Sequence, residues 1–268
     1  MTTLQAALLG VLQGLTEFIP VSSSGHLVII PWLLGWPSPG LSFDVLVHLG
    51  TLVALLLYFR RDIYELLLGA WELCRRRRLE TFRARLLLLI LLSALPAALL
   101  GYLLEDKISQ AFETPWVASL FLLVTGGLLF TSEWLGKRTQ TIEQLGWGQA
   151  LLIGLAQSLA LLPGISRSGA TISAGLLCGL KRPAAARFSF LMVLPVILGA
   201  TAFELLQAAQ GGALAGSWQL GVGFLAALLS GYAALGFLIR HLQSHSLRPF
   251  AYYCWALGTL GLILSWVH

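Results

Sequence analysis

The sequence predicts an all-α polytopic membrane protein with two inverted-topology repeats, each a re-entrant helical hairpin plus three transmembrane helices. Composition is the first ground. Of the 268 residues, 57% are hydrophobic and 11% charged, and several apolar runs approach the roughly 20 residues that cross a hydrocarbon core. In lipid every backbone polar group must be satisfied within the protein, and these runs are too long and too rich in Leu and Ala for barrel strands. The second ground is a stretch that occurs twice. Displaced by 144 positions, Gln5/Gln149, Ala6/Ala150, Leu8/Leu152, Gly10/Gly154, Gln13/Gln157, Leu15/Leu159, Ser22/Ser166, Ser24/Ser168 and Gly25/Gly169 coincide, nine matches in 21 gap-free positions. The third is the odd number of spans between the copies, which turns the second upside down relative to the first. The chain 1–268 reads as one integral membrane domain, with repeat one over about 1–140 and repeat two over about 145–268.

Residues 4–19 are apolar apart from Gln5 and Gln13. Pro20 and the serines break the helix, and His26 to Leu34 resumes it until Pro37, Pro39 and Gly40 turn the chain. Neither arm spans comfortably, so the pair reads as a re-entrant hairpin, whose polar break must be buried in protein or line a wet cavity. A span is expected at about Phe43 to Phe59, ending at Arg60 and Arg61. Asp62 to Glu80, carrying the run Arg75 to Arg78, is amphipathic and should lie on the membrane surface. Spans at about Leu86 to Leu104 and Trp116 to Leu135 are joined by the Glu105-Asp106-Lys107 loop, and Lys137-Arg138 closes the third. The second hairpin occupies about Trp147 to Leu180. Lys181, Arg182, Pro183 and Arg187 lead into a span at about Phe188 to Leu206, and Gly211-Gly212 marks the next loop. Spans at about Trp218 to Ile239 and Phe250 to Val267, separated by Arg240 to Arg248, finish the chain.

The basic residues orient this arrangement. Alternating from a cytoplasmic 60–85 segment places fifteen Lys and Arg residues inside and Lys107 alone outside, with Arg167 in the second hairpin. The net charge of +5 is thus topological, and no aromatic-basic stacking surface indicates nucleic acid. Cys74, Cys178 and Cys254 stand singly, without metal-ligand or disulfide spacing. The opening Met1-Thr-Thr-Leu-Gln5 lacks the positive region and cleavage site of a removable signal peptide.

Hairpins entering from opposite faces should meet tip to tip, so that the polar residues of both copies share one cavity. An acid deep in an apolar run, Glu17, calls for a functional explanation. Gln13 lies four residues earlier on the same helical face, where it suits either a helix-helix hydrogen bond or a site. Ser22 and Ser24 match capping serines as well as ligands. Ser23 differs, because its counterpart is Arg167. His26, three residues after Ser23, is close enough to polarise a hydroxyl or to take part in phosphoryl transfer itself. Arg167 stays charged and prefers planar, bidentate oxyanions, so a phosphate suits it, with Glu17 as the rival partner. Ser166 and Thr171 add donors, and Gly164 and Gly169 let backbone amides approach an anion. These groups are the inventory of metal-assisted phosphoryl transfer. Asp44, His48, Glu133 and Glu204 lie near predicted membrane boundaries and are given structural roles.

The stretch Gln13 to Glu17, the turn Ser22 to His26 ending in glycine-histidine, and Pro163-Gly164-Ile165-Ser166-Arg167-Ser168-Gly169-Ala170-Thr171 together resemble the bacterial undecaprenyl-pyrophosphate phosphatase family, the one associated with bacitracin resistance. The nine-residue motif matches without a departure, and the likeness covers the whole chain. At the first acidic position Gln13 takes the neutral option, leaving more of any cation to Glu17. The resemblance implies hydrolysis of undecaprenyl diphosphate to the monophosphate and inorganic phosphate at the outer face of the bacterial cytoplasmic (inner) membrane, recycling the lipid carrier for peptidoglycan synthesis. It implies that Glu17 and Gln13 bind a divalent cation, Mg2+ or Ca2+. Arg167 with Ser166, Ser168, Thr171 and Gly164 would hold the diphosphate, and Ser23 and His26 would be the attacking or proton-handling pair. The implied partners are the polyprenyl diphosphate and membrane lipid, with a homodimer allowed and no nucleic acid.

The rival class is a transporter or flippase for an anionic or polyprenyl-phosphate substrate, since opposed broken helices around a midplane site are a transporter architecture. Transport requires no nucleophile, so Ser23 and His26 favour the enzyme. A scaffold without a ligand would have to hold Glu17 and Arg167 as a mere ion pair, at a cost that argues against it.

Overall fold

The computed structural model describes residues 1–37, 40–76, 81–104, 114–199 and 218–267, and among these every regular element is a helix apart from an isolated bridge between Gln140 and Leu180. Pro39, Arg77 to Glu80, the Glu105-Asp106-Lys107 loop, Glu204, Gly211-Gly212 and the 200–206 end of an expected span lie outside the described residues.

Two broken hairpins stand where the sequence places them. The first is α1 (Thr3–Phe18) and α2 (Ser23–Leu33); the second is α7 (Trp147–Leu159) and α8 (Arg167–Leu177). The matched glutamines Gln5 and Gln149 now have a physical reason. Each accepts, at 2.8 Å, the backbone N–H three residues before it, from Thr2 and Gly146 respectively; with Thr2 Oγ1 accepting from the Gln5 N–H at 3.2 Å the first arm has a full capping box, while Gly146, lacking a side chain, leaves the second with the glutamine half alone. The α2 helix begins at Ser23 rather than His26, because Ser22 caps it and so draws Ser23 and Ser24 into the first turn.

Between and after the hairpins come α3 (Leu41–Tyr58), α4 (Arg60–Arg76), α5 (Phe82–Leu103), α6 (Pro115–Leu135), α9 (Arg182–Met192), α10 (Trp218–Ser244) and α11 (Arg248–Val267). The α4 axis turns 79° from that of α3, so the amphipathic α4 does not continue the line of α3. The basic segment expected as a lead-in at Arg182 is already helical, since Pro183 in the first turn has no N–H to leave unsatisfied. By length and composition four helices among the described residues suffice to cross a membrane: α5, α6, α10 and Arg182–Gly199, the last being α9 with its continuation; the span expected at Phe43 to Phe59 qualifies only when α3 is taken together with α4. The α11 helix has 20 residues but is less apolar, carrying Tyr252, Tyr253, Trp255, Thr259 and Trp266. This is an all-helical, multi-pass membrane protein.

Small residues let the hairpins seat closely on their neighbours. Along α1, Gly10 and Gly14 lie one turn apart; a Cβ on Gly10 would come within 2.4 Å of the Gly223 carbonyl oxygen, and one on Gly14 within 2.4 Å of that of Ala227. Both carbonyls belong to α10, so α1 rides on that helix backbone to backbone. In the second hairpin Gly154 meets the Ser93 carbonyl of α5 at 2.4 Å in the same test. The arms α1 and α7 are thereby fixed against α10 and α5, which sets the height of the two turns.

A second anchor closes the opposite end of α6. Glu133, 3% exposed, accepts from Arg138 Nη1 at 2.6 Å, from Arg182 Nε at 2.7 Å and Nη2 at 2.6 Å, and from the Leu247 N–H at 2.8 Å. One carboxylate thus ties together the end of α6, the start of α9 and the loop before α11. Its structural role is the one expected from its position near a boundary.

Candidate active site

Both hairpin turns end on a serine N-cap, and in each the next residue is one that the sequence singles out. Ser22 accepts from the Gly25 N–H at 3.2 Å, and Ser166 from the Gly169 N–H at 3.0 Å. The repeated serines and glycines are therefore caps and capped amides. Ser24 and Ser168 bond to those cap hydroxyls, each at 3.2 Å. The turns are not copies in detail. Ser22 has φ 70°, the left-handed region that a non-glycine residue occupies at a cost of roughly 1–3 kcal/mol, whereas in the second turn Gly164 takes the positive φ, 93°. A Cβ on Gly164 would also lie 2.1 Å from the Ala118 carbonyl oxygen, so no other residue fits.

The two tips touch. Gly25 faces Gly164, a Cβ on the former lying 3.2 Å from the Cα of the latter, and the Gly164 N–H reaches Ser24 Oγ at 3.5 Å. Immediately after the caps stand Ser23 on α2 and Arg167 on α8, each the first residue of its helix. They converge on one carboxylate. Ser23 Oγ donates to Glu17 Oε2 at 2.6 Å, Arg167 Nη2 donates to Glu17 Oε1 at 2.8 Å, and Gln13 Nε2 donates to Oε2 at 3.0 Å. Glu17 is 8% exposed and Gln13 fully buried, while Ser23 and Arg167 are half-buried and form the accessible side of the cluster.

His26 is brought to the same turn but not onto Ser23. Its Nδ1 lies 2.7 Å from the Ser22 carbonyl oxygen and its Nε2 2.7 Å from the Tyr253 hydroxyl of α11. The remaining sequence-predicted residues line the second turn. Thr171 Oγ1 donates to the Arg167 carbonyl at 2.7 Å and pairs with Ser189 Oγ at 2.6 Å, and Ser166, Ser168 and Gly164 are buried with it. His48, on α3, is near enough to Glu17 to interact electrostatically; its own Nδ1 bonds to the Asp44 carbonyl oxygen at 2.7 Å.

The oxygens present suit a hard cation. Gln13 Oε1 is buried without a hydrogen-bond partner among the described residues, an unmet acceptor beside the Glu17 carboxylate, and carboxylate and amide oxygens are the donors such ions take. No group of three His, Cys, Asp or Glu able to hold a metal occurs among the described residues.

Two contributors were beyond sequence reasoning. Thr125 of α6, fully buried, donates from Oγ1 to the Gly164 carbonyl at 2.9 Å and accepts the Ser166 N–H at 3.0 Å, splinting the second turn. Tyr253 partners His26 across 227 positions of sequence. Both sit in apolar runs where a threonine or tyrosine is ordinary, so only the packing of α6 and α11 on the hairpins exposes them.

Comparison with known proteins bears on this cluster. A family model described as "Bacitracin resistance protein BacA" matches residues 6–260. Among curated proteins, the undecaprenyl-diphosphatase of Rubrobacter xylanophilus is 48% identical over 262 residues, covering 96% of each chain. That of Pelobacter propionicus is 46% identical over 255 residues, covering 94% of this chain and 93% of its own. The Thermomicrobium roseum undecaprenyl-diphosphatase is 46% identical over 275 residues and covers 98% of both.

Proposed function

The chain belongs to the bacitracin resistance protein BacA family, and on that premise we propose that it is an undecaprenyl-diphosphatase, releasing inorganic phosphate from undecaprenyl diphosphate and leaving undecaprenyl phosphate. The carrying observation is the meeting of Ser23 and Arg167, from equivalent positions of the two turns, on the two oxygens of Glu17. A hydroxyl on a carboxylate is a nucleophile with its base, and a half-buried guanidinium beside it is a phosphate holder.

In the step this geometry supports, the terminal phosphate draws Arg167 away from Glu17 Oε1. Left facing the Ser23 hydroxyl at 2.6 Å, the Glu17 carboxylate takes its proton as Oγ attacks the terminal phosphorus. The bond from that phosphorus to the bridging oxygen breaks, and undecaprenyl phosphate departs with the electron pair. Water then attacks the phosphorus of the phosphoserine and gives up one proton to the solvent; the bond from phosphorus to Oγ breaks, Ser23 Oγ takes back its proton from the Glu17 carboxyl, and inorganic phosphate leaves with serine and carboxylate restored. The N-termini of α2 and α8 both face the turns and favour the anion, with Ser166, Ser168, Thr171 and Gly164 shaping the second. His26 handles a proton beside this pair. A divalent cation, Mg2+ or Ca2+, would be held by Glu17 with Gln13 and would offset the charge of the diphosphate.

The finer setting belongs to the same proposal. The chain forms one membrane domain of two inverted repeats in the bacterial cytoplasmic membrane, with the site opening to the outer face, where the lipid carrier would be recycled for peptidoglycan synthesis. Seating α1 on α10 and α7 on α5 through matched glycines supports the inversion, because exchanging the halves exchanges the pairs. The bias of basic residues supports the orientation. A transporter would use the paired turns but has no need of Ser23 on Glu17.

The test is phosphate release from a long-chain polyprenyl diphosphate by purified protein in detergent, with and without chelator. Glu17→Ala, Ser23→Ala and Arg167→Ala should each lose more than about a hundredfold in turnover, and chelator should suppress the wild type. Well-folded wild type that releases no phosphate with lipid and divalent cations restored would sink the proposal and favour transport.

A further inference from the structure

We propose that Tyr253, on the last helix, is a positioning residue for His26. This rests on the phosphatase reading above, in which His26 handles a proton.

The chain of observations begins at the other ring nitrogen. The partner of His26 Nδ1 at 2.7 Å is a backbone carbonyl oxygen, which accepts and never donates, so Nδ1 carries the hydrogen. In the neutral ring Nε2 is then an acceptor, and the Tyr253 hydroxyl, 2.7 Å away, donates to it. When Nε2 takes up a proton the same hydroxyl turns acceptor without moving. Among side chains at this position, a phenol is thus able to hold the imidazole through both halves of a proton cycle, and a phenyl ring is not.

Geometry makes the contact specific. The two rings are nearly parallel, 3° between planes with centroids 5.6 Å apart, and the 2.7 Å contact sets them edge to edge, so the hydrogen bond lies close to the imidazole plane, where the Nε2 lone pair points. His26 is 1% exposed and Tyr253 46%, which makes the tyrosine the outward neighbour of a buried imidazole. The next residue, Cys254, reaches the Pro20 carbonyl oxygen with its Sγ at 3.8 Å, so one turn of α11 is docked on the first hairpin turn at two points. Without Tyr253, Nε2 would be a buried acceptor with nothing to aim it. With Nε2 held by Tyr253 and Ser23 held by Glu17, attack and proton handling fall to separate pairs, Ser23 with Glu17 and His26 with Tyr253.

Tyr253→Phe keeps the ring and removes the hydroxyl. In the detergent assay it should lower kcat roughly three- to tenfold, the worth of one such hydrogen bond, with KM within about twofold and thermal stability retained. Added to His26→Ala, it should change turnover by less than about twofold. Tyr253→Phe with wild-type kcat, while His26→Ala is impaired, overturns the positioning role alone. The same fold-loss from Tyr253→Phe with and without His26 also overturns it, assigning the tyrosine to packing or substrate. An unimpaired His26→Ala overturns this inference and the proton role of His26 but leaves the phosphatase reading standing; a wild type without phosphatase activity overturns both.

Discussion

Removing a single hydroxyl from α6, far from the reacting groups in sequence, should cripple the second turn. Thr125 is fully buried, and its Oγ1 satisfies both the Gly164 carbonyl at 2.9 Å and the Ser166 N–H at 3.0 Å. Thr125→Val preserves the branched shape and leaves both backbone groups without a partner in a site closed to bulk water. Each buried unsatisfied group costs about 1–3 kcal/mol, so the loss is about 2–6 kcal/mol, a fall of roughly 5–15 °C in unfolding temperature. Activity should fall further than stability implies. Ser166 caps the helix whose first residue is Arg167, and a misplacement of about 1 Å in such a group costs on the order of a hundredfold in rate. Thermal unfolding in detergent and phosphate release, measured on the same preparations, give both numbers, with Thr125→Ser, which keeps the hydroxyl, as the control. Thr125→Val within about 2 °C and twofold of wild type would refute the claim that this hydroxyl sustains the turn.

Two further outcomes rest on the packing. Gly14→Leu places a side chain where even a Cβ would meet Ser230 Oγ at 2.0 Å and the Ala227 carbonyl at 2.4 Å; α1 must shift off α10, carrying Glu17 with it, so turnover should collapse although no site residue is changed. Phosphate release by a Gly14→Leu protein at wild-type rate would remove α10 as the seat of the first hairpin. Glu133→Gln leaves Arg138 and Arg182 without their carboxylate; breaking a buried pair on one side costs about 3–5 kcal/mol, seen as a lower unfolding temperature with KM unchanged in whatever protein survives. A variant as stable as wild type would show that the arginines find other partners.

Much of this protein was legible in its sequence because the membrane restricts what an apolar chain can do. The apolar helices, the two hairpins and the amphipathic helix α4 follow from run length, from breaks at Pro20 and Pro163, and from the placement of charge. The duplication singled out Ser23 and Arg167 as the one informative mismatch within a repeated serine turn, and the structure sets those two side chains on Glu17. Tertiary structure alone decided the partners. Composition allowed Ser23 to face His26, yet Ser22 begins α2 early enough to point Ser23 at Glu17 and to leave the imidazole between the Ser22 carbonyl and Tyr253. Thr125 and Tyr253 entered the site for the same reason, because α6 and α11 pack across the hairpins from 39 and 227 positions away. A sequence records which groups lipid forbids to stand alone; which of them meet depends on how closely glycine-faced helices approach, and that distance exists only in the folded chain.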